Sequence, residues 1–266
     1  MEGPVFSLVR GDAPVLVTIP HAGTRLAPGM AARMTEAGRA LPDTDWYVPR
    51  LYQVAARLGA GVLRAHYSRY VIDLNRGGDD AVLYPGRPKT GLVPTLTFDG
   101  RPIYRPGAEP GESEIAARRQ CYWQPYHDAV AAELDRLRAR HGHAVLWDAH
   151  SIGTVIPRLF EGRLPDLNFG TNDGAACAGG LIAAVMAGLT EGGGYSSVLD
   201  GRFKGGYTTR HYGRPAEGIH AIQLEKAQAT YLASEGGAAP AADARKMEKL
   251  SGLIGDLLER ACAWRP

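Results

Sequence analysis

"AVLWDAHS", residues 144–151, decides how this chain is laid out. It follows Gly142 at the end of a long helical pattern, and it is too short and too apolar to be another helix. A run of this kind is a strand buried on both faces of a parallel sheet. Its last residues put His150 where the chain leaves the sheet.

Other runs share this pattern. "PVLVTIPHAG", residues 14–23, is closed by Pro20 and Gly23 and predicts a strand ending near His21. "GIHAIQLE", residues 218–225, predicts a strand ending at Glu225. "GVLRAHYSRYVIDL", residues 61–74, supplies one or two strands and runs into Asn75, Arg76 and two glycines. Helical patterns lie between them. Trp46, Leu51, Val54 and Leu58 are spaced for one helix that stops at Gly59, with Pro49 in its first turn or at a kink. Residues 112–140 carry Ile115, Tyr122, Tyr126, Val130, Leu134 and Leu137 on one side of a long helix. A small-residue helix covers 180–189, and an amphipathic helix covers 241–263. Alternating strands and helices predict an α/β fold with a mainly parallel or mixed central sheet and helices on both faces, in one domain over 1–266. Residues 77–111 are rich in Gly, Pro and Asp without a period, the composition of a long functional loop such as a lid.

The composition sets bounds. The 266 residues are 45% hydrophobic and 22% charged, enough for a core that needs no staple. The net charge of +2 gives no electrostatic case for nucleic acid or an anionic membrane. Three scattered cysteines, with no signal-peptide pattern at the N-terminus, point to reduced thiols and a cytoplasmic protein.

In an open α/β sheet, ligands bind beyond the carboxyl ends of the strands. The residues expected there are His21, the Asp73–Asn75–Arg76 group, His150 and Glu225. Two histidines and a carboxylate are the usual ligands of a catalytic zinc, and a further carboxylate can take a proton from water. Asp43 and Asp45 stand near a helix start, where one can cap the helix and the other bind metal; the preferred assignment is Asp45 as ligand and Asp43 as cap. Glu225 suits either a ligand or a general base whose pKa burial has raised. His66, His127, His141, His143 and His220 have no second ligand at metal spacing and read as packed or surface residues.

Guanidinium groups match carboxylates in bidentate geometry. Arg69 and Arg76, with Arg202, Arg210 and His211 in a Gly-rich polar segment, are therefore candidates for binding a small substrate with more than one carboxylate. Phosphate-loop, dinucleotide, HExxH and GxSxG motifs are absent. A serine hydrolase would have to use Ser151, whose side chain diverges from that of the adjacent His150 in an extended chain.

Eight blocks carry a resemblance: "IPHAGTRL", "DTDWYVPRLY", "SRYVIDLNR", "TGLVPTLTFDGRPIY", "WDAHSI", "PRLFEGRLPDLNFGTNDG", "DGRFKGGYTTRHYGRP" and "HAIQLEKAQATY". Over residues 15–231 the chain resembles the N-formylglutamate amidohydrolases. That resemblance implies a zinc-carboxypeptidase-like fold, related also to aspartoacylases, and hydrolysis of N-formyl-L-glutamate to L-glutamate and formate in histidine degradation. It implies one Zn2+ per chain, held by His21, an early acid and His150. Those relatives carry Glu three residues after the first histidine, where this chain has Thr24, so Asp45 inherits the expectation. It further implies that Glu225 deprotonates a zinc-activated water, that Arg69 stabilises the oxyanion, and that Asn75 and Arg76 clamp a carboxylate. Two readings compete: hydrolysis of another N-acyl amino acid, and a non-catalytic carboxylate-binding protein.

Overall fold

The computed structural model describes residues 3–81, 90–191, 194–236 and 240–266. Its strands are β1 (Phe6–Val9), β2 (Val15–Ile19), β3 (Gly61–Ala65), β4 (Ala144–Ile152), β5 (Leu167–Gly170), β6 (Ser197–Leu199) and β7 (Ile219–Ala227). Its helices are α1 (Met30–Arg33), α2 (Glu36–Arg39), α3 (Val48–Leu51), α4 (Val54–Arg57), α5 (Glu112–Arg118), α6 (Gln124–His141), α7 (Gly179–Glu191), α8 (Tyr207–Tyr212) and α9 (Ala244–Ala263).

The strands form one mixed sheet in the order β1-β3-β2-β4-β7-β5-β6. β2, β3, β4 and β7 run parallel to one another, while β1 and β5 pair antiparallel with β3 and β7. The central strands β2, β4 and β7 are buried along their whole length, so both sheet faces must be covered. One face packs Val17, Trp147 and Ile222 against α3, α4, α7 and α9. The other packs Leu16, Leu63 and Leu146 against α1, α6 and the turn before α6. The α/β expectation, with helices on both faces, is met. No described helix is long and apolar enough to cross a membrane.

Three local expectations change. The single helix expected before Gly59 is two one-turn helices, α3 and α4, entered through Tyr47 in the left-handed region at φ 60°. Pro49 does lie in the first turn of α3. The helix expected over 112–140 is α5 and α6 joined by a π-helical turn at Arg119–Trp123, closing at Gly142 with φ 77°.

The third change concerns residues 67–78. Tyr70, Val71 and Ile72 are not a strand but an irregular turn buried in the core. The apolar run supplies packing, while its backbone finds partners outside the sheet. Arg118 donates to the carbonyls of Tyr70 and Val71, and the indole of Trp123 donates to Arg76 O. A ring nitrogen of His127 bonds Leu74 O, and Arg119 reaches Gly78 O. Four side chains of the α5–α6 segment thus do what a neighbouring strand would otherwise do. Of the loop expected over 77–111, residues 82–89 lie outside the described residues.

Candidate metal centre and active site

His21 leaves the sheet just after β2, and His150 projects from β4. Pairing of β2 with β4 brings their neighbourhoods together, and the two rings stand 4.8 Å apart. Asp45 comes in from the loop before α3, where its N–H donates to His21 O at 3.1 Å. Its Oδ2 lies 3.9 Å from Nδ1 of His21 and 3.3 Å from Nδ1 of His150. Possible ligand atoms of these three buried residues all lie within 4.8 Å of one another.

The far side of each imidazole is tied down. Nε2 of His21 meets Asp73 Oδ1 at 2.8 Å, and Nε2 of His150 meets Asp148 Oδ2 at 2.8 Å. A carboxylate behind a histidine fixes the tautomer and turns the other nitrogen towards a metal. Both carboxylates are fully engaged. Asp73 also accepts from Asn75 N and from Arg69 Nη2, and Asp148 accepts from the hydroxyl of Thr18.

Asp45 is different. It is 1% exposed, and neither carboxylate oxygen has a hydrogen-bond partner among the described residues; the 3.3 Å contact to His150 lacks the alignment of one. A buried carboxylate without donors is costly unless a cation sits against it. Two neutral nitrogens and this carboxylate fit a divalent ion of the zinc type. The surroundings act differently on the two rings. Burial lowers the pKa of His21, and Arg69 adds to that effect. Burial acts the same way on His150, but the Asp148 and Asp45 carboxylates outweigh it and push its pKa up to about 10. Burial would raise Asp45, yet His150, His21 and Arg69 hold it below the usual carboxylate range.

Glu225 lies on β7 in register with His150. It is 7% exposed, and its Oε1 has no hydrogen-bond partner among the described residues. Burial pushes its pKa up to about 7, against the pull of His150. Next to it, Lys226 is fully buried, bonded to the hydroxyl of Tyr52 and to Leu224 O, with its pKa brought down to about 8 by burial.

His21, Asp45, His150 and Glu225 line one cleft open to solvent, together with Arg69, Asn75, Arg76 and Arg202. Arg69 is anchored on Asp73 and lies over the Phe98 ring, 4.6 Å from its centre. Arg76 is held by Asn75 O and the hydroxyl of Thr90. Arg202 donates through Nε and Nη2 to Leu159 O. The amide of Asn75 is part of the frame: Nδ2 donates to Gln223 Oε1 and lies 3.1 Å from Nε2 of His150, and Oδ1 accepts from Thr208 N. Gly206 fits against that amide, where a Cβ would come within 2.4 Å of Nδ2.

The structure does not bring every expected residue to the cleft. Arg210 donates to Gly205 O and His211 stacks on Tyr207, and neither lines the cleft. Asp43 is not a helix cap. Its Oδ2 accepts from the hydroxyl of Tyr70 and from Phe98 N, tying the irregular segment to the loop that carries Phe98. The Ser151 hydroxyl lines the cleft and receives a hydrogen bond from Tyr231, and no bond to a histidine is seen for it among the described residues. Asp73 and Asp148 had no metal-side role in the sequence reading. Asp148 carried a usable signal, since a residue two before His150 shares its strand face.

A model of the N-formylglutamate amidohydrolase family matches residues 13–232. The N-formylglutamate deformylase of Pseudomonas aeruginosa is 51% identical over 260 residues, covering 98% of this chain and 97% of that one. The Pseudomonas putida protein of the same name is 50% identical over 228 residues, 86% of this chain and 85% of that one. The crystal structure of an N-formylglutamate amidohydrolase from Ralstonia eutropha JMP134 shares the fold, with a TM-score of 0.82 at 24% identity over 96% of this chain and 95% of that one. With its fold and sequence matched along nearly the whole length, this chain belongs to the N-formylglutamate amidohydrolase family.

Proposed function

We propose that this protein hydrolyses N-formyl-L-glutamate to L-glutamate and formate, using a divalent metal ion, with zinc the expected one, held by His21, Asp45 and His150. The observation that carries the metal reading is the donor-less buried carboxylate of Asp45 facing two histidines whose far nitrogens are held by Asp73 and Asp148. The substrate reading rests on the names of the two relatives at about half identity.

A metal ion bound there supplies Lewis acidity, which acidifies water and polarises a carbonyl. The protein's own residues do the rest. Glu225 takes a proton from the attacking water as its oxygen bonds to the formyl carbon. Arg69, fixed by Asp73, donates to the formyl oxygen as negative charge gathers on it. Glu225 then passes the proton to the amide nitrogen, the C–N bond breaks, and glutamate leaves with a free amine. A pKa near 7 suits a group that must accept and release the same proton. Arg76 holds a substrate carboxylate, and Asn75, whose amide nitrogen lies within hydrogen-bond distance of Gln223 and His150, forms the wall beside it.

The test is a stoichiometric assay of formate and glutamate released from N-formylglutamate, repeated after chelation and after metal is added back. Equal release of both products, lost on chelation and restored by zinc, is expected. Cleavage of other N-acyl amino acids but not of this one would reassign the substrate. Inactivation by a serine-directed acylating reagent, with indifference to chelators, would move the chemistry to Ser151.

A further inference from the structure

Among the described residues the cleft offers three arginines, and the proposed substrate presents three negative groups during reaction: the α-carboxylate, the side-chain carboxylate and the developing oxyanion. Arg69 lies with the reacting groups, since its partner Asp73 also holds His21. Arg76 and Arg202 remain for the two carboxylates, and their surroundings differ. Arg76 is held by polar groups, Asn75 O and the Thr90 hydroxyl. Arg202 lies beside Leu159 and over the Phe203 ring, 5.1 Å from its centre. Leu159, whose carbonyl holds its guanidinium, belongs with Ile152 and Phe203 to a small separate core that borders the cleft.

The chemistry of glutamate separates the two carboxylates in the same way. The α-carboxylate is joined to the carbon that bears the formylamide, so it binds close to the reacting bond among polar groups. The side-chain carboxylate ends a stem of two methylene groups. It needs an apolar wall and then a cation. Ile152, Leu159 and Phe203 supply the wall, and Arg202 supplies the cation. Two bonds from Nε and Nη2 to one carbonyl fix the plane of its guanidinium in advance, so little rotamer freedom is lost on binding.

We propose that Arg202 binds the side-chain carboxylate of the substrate and sets the preference for an acidic over a neutral side chain; this rests on the deformylase reading given above. The test compares kcat/KM for N-formyl-L-glutamate and N-formyl-L-glutamine in the wild type, Arg202→Met and Arg202→Lys. The glutamine substrate keeps length and shape but lacks the charge. Arg202→Met is expected to lose about 10- to 100-fold on the glutamate substrate, the usual effect of removing a hydrogen bond to a charged group, and to change little on the glutamine substrate. The loss is expected mostly in KM, because the contact is equal in ground and transition states. Arg202→Lys keeps charge without the planar fork and is expected to lie between the two; it serves alone if the methionine variant does not fold. Equal losses on both substrates in either folded variant would make Arg202 a structural support for the Leu159 loop and overturn the inference. A wild type inactive on N-formylglutamate would instead overturn the substrate reading, leaving these two results distinguishable.

Discussion

Asp45 is the residue on which the metal reading turns. Asp45→Asn keeps its volume and removes its charge. The expected result is loss of bound metal after dialysis, with the far-ultraviolet circular dichroism of the folded chain retained; one ion per chain in the variant would remove Asp45 from the set. Asp148→Asn leaves all three ligands in place but loosens the His150 ring, and metal affinity measured by chelator competition is expected to fall about 10- to 100-fold. Glu225→Gln is expected to keep its metal while kcat falls by ~10²-fold or more; metal loss would make Glu225 a ligand. Asp43→Ala leaves the Tyr70 hydroxyl and Phe98 N without their acceptor. Each orphaned donor costs about 1–3 kcal/mol, more than the loss of a simple cap, and urea unfolding reads the sum. At this scale the sequence was legible where a polar residue ends an apolar run, as His21 and His150 do. It was not legible at Lys226. A lysine after Glu225 marks the end of a strand in any sequence-based reading, because lysine is almost never fully buried. Here β7 continues through it to Ala227, since the Tyr52 hydroxyl and nearby carboxylates accept its charge.

At the scale of elements, the segment over residues 67–78 and the α5–α6 helix form one device. A run of Tyr, Val and Ile signals a strand, and nothing local announces that Arg118, Arg119, Trp123 and His127 will take its carbonyls. The π-helical turn at Arg119–Trp123 was equally hidden, because Tyr122, Tyr126, Val130, Leu134 and Leu137 keep helical spacing from that turn onwards. Trp123→Phe removes only the indole donor to Arg76 O. If that bond positions Arg76, KM for N-formylglutamate rises several-fold with little change in kcat; an unchanged KM would show that Arg76 is held by Thr90 and Asn75 alone. His127 makes a second prediction. Burial lowers its pKa to about 4, and it packs between Leu74 O and Tyr212, with Trp123 and Tyr207 around it and His211, Asp128 and Asp148 acting at longer range. An unfolded histidine titrates near 6.5, so between pH 6.5 and 4 the unfolded chain binds the extra proton. This contribution is present above pH 6.5 and is lost as pH falls towards 4, by about 2 kcal/mol between pH 7 and 5. His127→Gln is expected to flatten the pH dependence of the unfolding free energy by that amount. An identical slope in the variant would assign the acid sensitivity elsewhere.

On the scale of the whole molecule, the alternation of apolar strands and amphipathic helices gave away the layered α/β plan, while the direction of β1, β5 and β6 depends on pairings that no local pattern encodes. The candidate ligands come from segments that meet only in the folded chain, so metal should bind the native state and not the unfolded one. At a metal concentration a hundred times Kd, that linkage adds about 2.7 kcal/mol. Chelation is then expected to lower Tm by about 5–10 °C in scanning calorimetry, and an unchanged Tm would mean that the ion is held weakly or not at all. The sheet order also matters while the protein is being made. β2, an uncharged VLVTI strand, gains β3 on one edge early, but its other edge waits for β4. A ribosome adding about 5–20 residues per second needs roughly 5–20 s to go from the end of β3 to the end of β4. Throughout that interval the nascent chain presents an unpaired, apolar strand edge of the kind that seeds aggregation. Stalled chains that stop before residue 144 should therefore recruit a holding chaperone, and complete chains, in which β7 has in turn covered the far edge of β4, should not.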